Sequence, residues 1–361
     1  MSAAKRVVFR VDASIEMGMG HLMRCLCLAN ALAEGGTRAL FLIRSHAAKL
    51  ATLIEANGHA VRPLPDPEQA GAATSWLPTS WQHDAEQTGQ AISEAGAADW
   101  LVVDHYGLDA RWERLQRTQV PRILVIDDVA DRPHDCDLLL DQNLVAAMET
   151  RYAKLVGATC MPLLGPRYAL LRPQFAEARR QLPPRSDELR RILICHGGSD
   201  PTNETAKALT AIRHLAANGL AVDVVIGPSN PHGSEVAALC QALPDVELHR
   251  GADDMAGLMA RADLAIGAGG IMNWERCCLG LPTIATAIAD NQVGGLTALA
   301  RAGAVDYLGH AGTVDSAQLA DAIAALRRDA GRVRAMGAAA LSLVDGQGAD
   351  RVRAAMSSLP F

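Results

Sequence analysis

A chain of 361 residues, 49% hydrophobic and 20% charged, is too long for one ordinary α/β domain and too apolar for a disordered one. A net charge of −6 argues against nucleic acid as a main partner, since phosphate backbones demand basic surfaces. Aromatic residues make up only 4%, which leaves little for base stacking, although a local basic pocket for a diphosphate stays compatible.

The first residues, Met1 to Arg6, lead straight into a strand-like run and leave no room for a signal sequence. No apolar stretch reaches membrane-spanning length. A cytoplasmic protein without a membrane partner is therefore expected. The eight cysteines (Cys25, Cys27, Cys136, Cys160, Cys195, Cys240, Cys277 and Cys278) lack the spacing of a zinc or redox pair. They read as small buried apolar residues of a reducing compartment, and neither a metal nor a cofactor is expected.

The first strand, Val7–Val11, is followed by a turn with Gly18 and Gly20, then His21, then Leu22, Leu26, Ala29 and Leu32 at helical spacing. His21 thus falls at a helix N-terminus on the carboxyl edge of a strand, where open α/β sheets bind ligands. That position disfavours the imidazolium and predicts a neutral imidazole able to accept a proton. A capping or packing histidine fits the same pattern. Further strands are predicted at Ala39–Ile43, Trp100–Asp104, Arg122–Ile126 and Leu138–Leu140, with Asp104, Asp127 and Asp141 at or just past their ends. Turn-capping acids would look alike.

Around Arg172–Arg190 the apolar pattern breaks, and Gln181 to Asp187 is polar and proline-bearing. This predicts a first domain over 1–172, a linker over 173–190 and a second domain over 191–361. The second series of strands is Ile192–Cys195, Val222–Ile226, Val246–His249, Leu264–Ile266, Thr283–Thr286 and Val305–Leu308. The expected fold is α/β, with two doubly wound Rossmann-like domains facing each other across a cleft. From Ala317 onward the chain reads as helical, and part of it could cross back to the first domain.

Two glycine-rich turns mark the second half. The first is His196-Gly197-Gly198-Ser199-Asp200, ahead of a helix near Thr202; a strand-to-helix turn with a polar cap would look the same. The second runs from Gly267 through Gly269, Gly270, Ile271, Asn273 and Glu275 to Gly280-Leu281-Pro282. Its glycines can offer backbone donors to a diphosphate, and Glu275 can accept hydrogen bonds from a ribose diol. Asn291 and Gln292 follow the next strand at the same edge. No GxxxxGK[ST] loop, no GxGxxG with a downstream acid and no GxSxG elbow is present, which weakens kinase, dehydrogenase and serine-hydrolase readings.

The run Gly269-Gly270…Glu275…Gly280-Leu281-Pro282…Asp290-Asn291-Gln292 resembles the UDP-sugar signature of the GT-B superfamily, which includes the MurG glycosyltransferases of peptidoglycan synthesis. The run Arg10, Asp12, Ser14, Gly18, Gly20, His21 and Arg24 is narrower. It is similar to the PseG family, the UDP-2,4-diacetamido-2,4,6-trideoxy-β-L-altropyranose hydrolases of pseudaminic acid biosynthesis. Asp104-His105-Tyr106-Gly107 and the stretch from Asp127-Asp128 to Asp141-Gln142-Asn143 fit the same family.

The resemblance implies a GT-B-like fold with UDP held by the second domain. It implies His21 as catalytic base and Tyr106 near the sugar, with Arg10, Asp12, Gly18 and Gly20 in the substrate-binding set. The UDP-binding set would be Gly197, Gly198, Ser199, Gly269, Gly270, Ile271, Asn273, Glu275, Asn291 and Gln292. Its partner would be a UDP-linked 2,4-diacetamido-trideoxy sugar. The sequence leaves the oligomeric state open, with a monomer favoured, and Asp12 is a candidate to orient His21. A glycosyltransferase, a UDP-sugar 2-epimerase and a non-catalytic UDP-sugar-binding regulator are the competing readings.

Overall fold

The computed structural model describes residues 6–12, 19–44, 48–65, 76–183, 185, 188–215, 219–228 and 230–359. Gly18 and Ser14 lie outside the described residues, as do 184, 186 and 187 of the expected linker. The chain divides into two compact units.

The first unit comprises Met1–Asn143, Ala147–Leu170 and Gln347–Phe361. It opens with β1 (Arg6–Val11), α1 (Gly20–Glu34), β2 (Arg38–Arg44), α2 (Ala48–Ala56) and β3 (Ala60–Leu64). There follow α3 (Trp81–Ala95), β4 (Trp100–Asp104), α4 (Ala110–Gln116), β5 (Arg122–Ile126), β6 (Leu138–Asp141) and β7 (Met161–Leu164). Val7, Val8, Phe9 and Val11 are all buried, the apolar run of a strand covered on both faces, interrupted only by the buried Arg10. The strands form one parallel sheet in the order β3-β2-β1-β4-β5-β6-β7. The winding reverses between β1 and β4, which opens a crevice at their carboxyl ends.

The second unit is essentially Leu171–Gly346. Its elements start with α5 (Pro173–Gln181), β8 (Arg191–Cys195), α6 (Glu204–His214), β9 (Ala221–Ile226), α7 (Gly233–Gln241) and β10 (Val246–Arg250). They continue with α8 (Met255–Arg261), β11 (Leu264–Ala268), α9 (Met272–Cys278), β12 (Thr283–Ala287), α10 (Asp290–Arg301) and β13 (Asp306–His310). Two helices, α11 (Ser316–Arg328) and α12 (Ala330–Leu343), complete it. This sheet is also parallel, ordered β10-β9-β8-β11-β12-β13, and its reversal lies between β8 and β11.

Three features differ from the sequence reading or extend it. The segment expected as a linker begins as α5, because Pro173 pre-sets the first helical turn. Phe175 is fully buried, and Arg179 donates to the carbonyls of Cys278 and Val344 at 2.8 Å, so α5 is part of the second unit. Strands β3 and β7 were not anticipated; both are edge strands, partly exposed and carrying Pro63 or Pro162. Finally, α13 (Gly348–Ser358) returns to the first unit, where Val352 and Met356 join the core of Leu22, Cys25 and Leu26.

All eight cysteines are buried, and none forms a disulfide. Among the described residues, no helix is long and apolar enough to cross a membrane.

Candidate functional site

His21 is the second residue of α1, directly beyond the first-unit crevice. The β1/β4 register sets Val11 opposite Asp104, so the last residue of β4 meets the helix that follows β1. Asp104 Oδ1 lies 2.5 Å from His21 Nδ1. Arg24 Nη2, a donor, lies 3.2 Å from the same nitrogen, but the carboxylate, which can only accept, makes the much shorter contact, so Nδ1 carries the proton and Nε2 is the nitrogen free to take one. Arg24, one turn along the same helix face, clamps Asp104 with Nε and Nη2, each at 2.6 Å, and reaches Asp128 at 2.9 Å. Burial opposes ionisation of Asp104, but Arg24 and His21 outweigh it and hold its pKa well below the usual carboxylate range. Asp128 is lowered too, against the same burial, by Arg24 and His21.

Tyr106 sets its ring edge-on to His21, with centroids 4.6 Å apart, and Trp76 meets Tyr106 at 5.1 Å. Burial and the Asp128 carboxylate push the Tyr106 phenol upward, so it stays a neutral hydroxyl. His21 and Tyr106 are thus brought together, with Gly20 beside them at the start of α1. Sequence reasoning left Arg24, Asp104, Asp128 and Trp76 out of the site. The acids at the ends of β4 and β5 and the three-residue spacing of His21 and Arg24 were the available signals.

Arg10 and Asp12 are placed differently from the expectation. Arg10 is 0% exposed and forks onto Asp12 at 2.7 and 2.9 Å and onto Asp84 at 2.7 and 3.2 Å. Its guanidinium is engaged inside the fold by both carboxylates. Asp12 accepts from the Arg44 backbone N–H at 2.9 Å and lies 3.2 Å from His105 Nε2. The carboxylate that orients His21 is Asp104, not Asp12. Asp84, on the first turn of α3, also accepts from Arg44, from Trp112 Nε1 at 3.0 Å and from Thr88.

In the second unit, the turns after β8, β11 and β12 share the carboxyl edge of its own sheet, at and next to the reversal between β8 and β11. Gly197 and Gly270 adopt φ of +97° and +101°, the left-handed region that glycine enters without penalty. The start of α6 is not free for an anion, however. Asp200 accepts from the amides of Glu204 and Thr205 at 2.9 Å, and Asn203 accepts from that of Ala206. What remains of the first turn is the backbone of Gly197, Gly198 and Ser199.

At the second turn, Gly269 packs on Gln292: a Cβ there would stand 2.8 Å from the Gln292 Cβ. Gln292 Oε1 accepts from the Ile288 N–H at 3.0 Å, while Asn291 is exposed. No side chain caps α9 at Ile271. Glu275, with its side chain 12% exposed, lies 3.5 Å from Arg172; burial pushes its pKa up and Arg172 opposes this. Asn273 is a correction. It is buried, and its Oδ1 accepts from Arg276 at 2.6 Å, so that oxygen is held by the helix rather than offered as a ligand acceptor.

Buried His196 titrates low, at about 4, chiefly because burial penalises the imidazolium. Between pH 6.5 and about 4 the unfolded chain takes up a proton there that the folded chain refuses, so stability falls as pH falls through that window. His196→Gln should remove ~1.4 kcal/mol per pH unit of that slope, read from urea midpoints at several pH values. An unchanged slope would exclude the assignment. Elsewhere, Asp223, Glu247 and His249 form a metal-like trio, but Asp223 already accepts from Arg191, Arg261 and His249.

Against solved structures, the chain superposes on MurG of Acinetobacter baumannii with a TM-score of 0.69 and 16% identity, covering 98% of this chain and all of that one. The fold is GT-B-like. A putative UDP-N-acetylglucosamine 2-epimerase from Listeria monocytogenes follows at 0.62 and 13% identity, covering 99% of this chain and 96% of that one. Residues 203–293 match the model of a protein family of unknown function, DUF354. The spore coat polysaccharide biosynthesis protein SpsG of Bacillus subtilis is 31% identical over 54% of this chain and 58% of its own length. A UDP-2,4-diacetamido-2,4,6-trideoxy-β-L-altropyranose hydrolase of Campylobacter jejuni is 25% identical over 74% of this chain and 86% of its own length. The chain spans little more than half of two of its curated relatives: SpsG and, at 55%, an uncharacterised protein of Methanocaldococcus jannaschii.

Proposed function

We propose that this protein is a UDP-sugar enzyme that hydrolyses a UDP-linked 2,4-diacetamido-2,4,6-trideoxy sugar, of the altrose series, to UDP and the free sugar. The observation that carries the reading is the buried His21–Asp104 pair, a base held in a single tautomer at the crevice of the first sheet. The hydrolase of Campylobacter jejuni, matched over most of its length, supports the substrate class.

Ordinary glycosidases need a carboxylic acid to protonate a departing alkoxide, so they carry two carboxyl groups. UDP leaves as a stable anion, and a base alone is sufficient. His21 Nε2 takes a proton from water as the water oxygen bonds to C1 of the sugar, and the C1–O bond to UDP breaks on the opposite face with inversion. Asp104 stabilises the imidazolium as it forms. Tyr106, a neutral hydroxyl beside His21, contacts the sugar. In the second unit, the backbone of Gly269, Gly270 and Ile271 stabilises the departing diphosphate, with Gly197, Gly198 and Ser199 at the neighbouring strand end. Glu275 holds the ribose, and Asn291 and Gln292 border the same edge.

Turnover in ¹⁸O-water should place the label on the sugar. Label in UDP would mean attack at phosphorus and would end the proposal. Release of UDP without an acceptor separates hydrolysis from glycosyl transfer, and an epimerase would alter the sugar while UDP stays attached.

A further inference from the structure

Among the described residues four arginines are buried: Arg10, Arg24, Arg44 and Arg276. The first three each reach an aspartate: Arg10 meets Asp12 at 2.7 Å, Arg24 meets Asp104 at 2.6 Å and Arg44 meets Asp84 at 2.5 Å. Arg276 does not. It is 3% exposed and donates only to neutral oxygens: the Ala268 carbonyl and Asn273 Oδ1, both at 2.6 Å, and the Met272 carbonyl at 3.2 Å. Its chain neighbour Glu275 makes its ion-pair contact with Arg172 at 3.5 Å and reaches Arg276 only through a weaker through-space attraction.

The fold makes room for this cation. A Cβ on Gly267 would lie 2.6 Å from Arg276 Nη1 and 2.3 Å from the Cys195 carbonyl oxygen, so glycine at 267 is what lets the guanidinium sit between the ends of β8 and β11. A buried charge without a contact ion pair is costly unless a counter-charge arrives from elsewhere. A second orphan belongs to the same cluster. His196, the residue after β8, is buried close enough to feel the charge of Arg276, and its Nδ1 has no hydrogen-bond partner. With seven residues, α9 has too short a dipole to supply the missing attraction for an anion by itself.

We propose that the counter-ion of Arg276 is the diphosphate of a nucleotide bound over the Gly269–Gly270 turn, with Arg276 acting through the turn as a fixed positive charge. Arg276 is then a positioning residue that selects nucleoside diphosphates over nucleosides. The inference rests on the reading that the second unit holds UDP.

The test is calorimetric titration of the full chain with UDP and with uridine, for wild type, Arg276→Met and Arg276→Lys. Arg276→Met should weaken UDP at least ~10-fold and leave uridine within about twofold, and Arg276→Lys should recover most of the UDP affinity. Should Arg276→Met fail to fold, Arg276→Gln is read against the same two ligands. If a variant loses UDP and uridine alike, or if Arg276→Lys is as weak as Arg276→Met, the residue is packing and the inference falls alone. A wild-type chain that binds neither ligand overturns the nucleotide reading and this inference together.

Discussion

His21→Ala is expected to lower turnover of a UDP-linked diacetamido sugar by at least ~100-fold, the usual scale for a lost general base, with UDP affinity little changed. The split follows from where the residue sits. His21 belongs to the first unit and contributes its Nε2 to water activation, whereas the proposed UDP grip is built from Gly269, Gly270 and Glu275 of the second unit. Asp104→Asn should reproduce much of the loss, because an amide can donate to Nδ1 and so favour the tautomer that protonates Nε2. Steady-state rates and UDP titration of both variants check the pair. A nearly active His21→Ala would return this histidine to a packing role.

Asp84→Ala is expected to cost ~3–5 kcal/mol of stability, the scale for breaking a buried ion pair by removing one partner. Asp84 is 0% exposed and gathers hydrogen bonds from Arg10, Arg44, Trp112 and Thr88. Without it Arg10 keeps Asp12, but the Arg44 side chain keeps only the carbonyl of Pro65. Burial works against the charge on Asp84, yet Arg10 and Arg44 hold its pKa below the ordinary value. Its stabilising contribution is therefore present above the unfolded carboxylate pKa and is lost as pH falls through the lower folded one. Urea unfolding at neutral pH is the measurement. A shift under ~1 kcal/mol would show that water or a rearranged Asp12 replaces the lost carboxylate.

The central strands were legible because burial on both faces leaves an apolar run, as in Val7–Val11 and Leu264–Ile266. Strands β3 and β7 were not, since edge positions relax that demand and admit Pro63 and Pro162. His21 could be singled out from its glycine turn and helix register. Its partner could not, because Asp104 is 83 residues away and only the Val11–Asp104 register brings it near. Arg10 and Asn273 mark a different difficulty. A polar residue near a strand end can face a ligand or turn inward, and the choice rests on distant or unnoticed partners, here Asp84 and Arg276. For Gly197–Ser199 the sequence admits both an anion site and a polar cap, and only the placement of α6 shows Asp200 and Asn203 taking the capping roles.

The return of α13 bears on how the chain acquires its structure during synthesis. Val352 and Met356 complete a core whose other members lie before residue 171, and a Cβ on Gly348 would stand 2.2 Å from the Ala169 carbonyl oxygen. The second unit is an insertion within the first, so its residues leave the ribosome and can fold while the first core still lacks one wall. Vectorial synthesis thus runs opposite to sequence order here: the unit that begins first is the one that closes last, and until then the apolar face of α1 has no covering helix from α13.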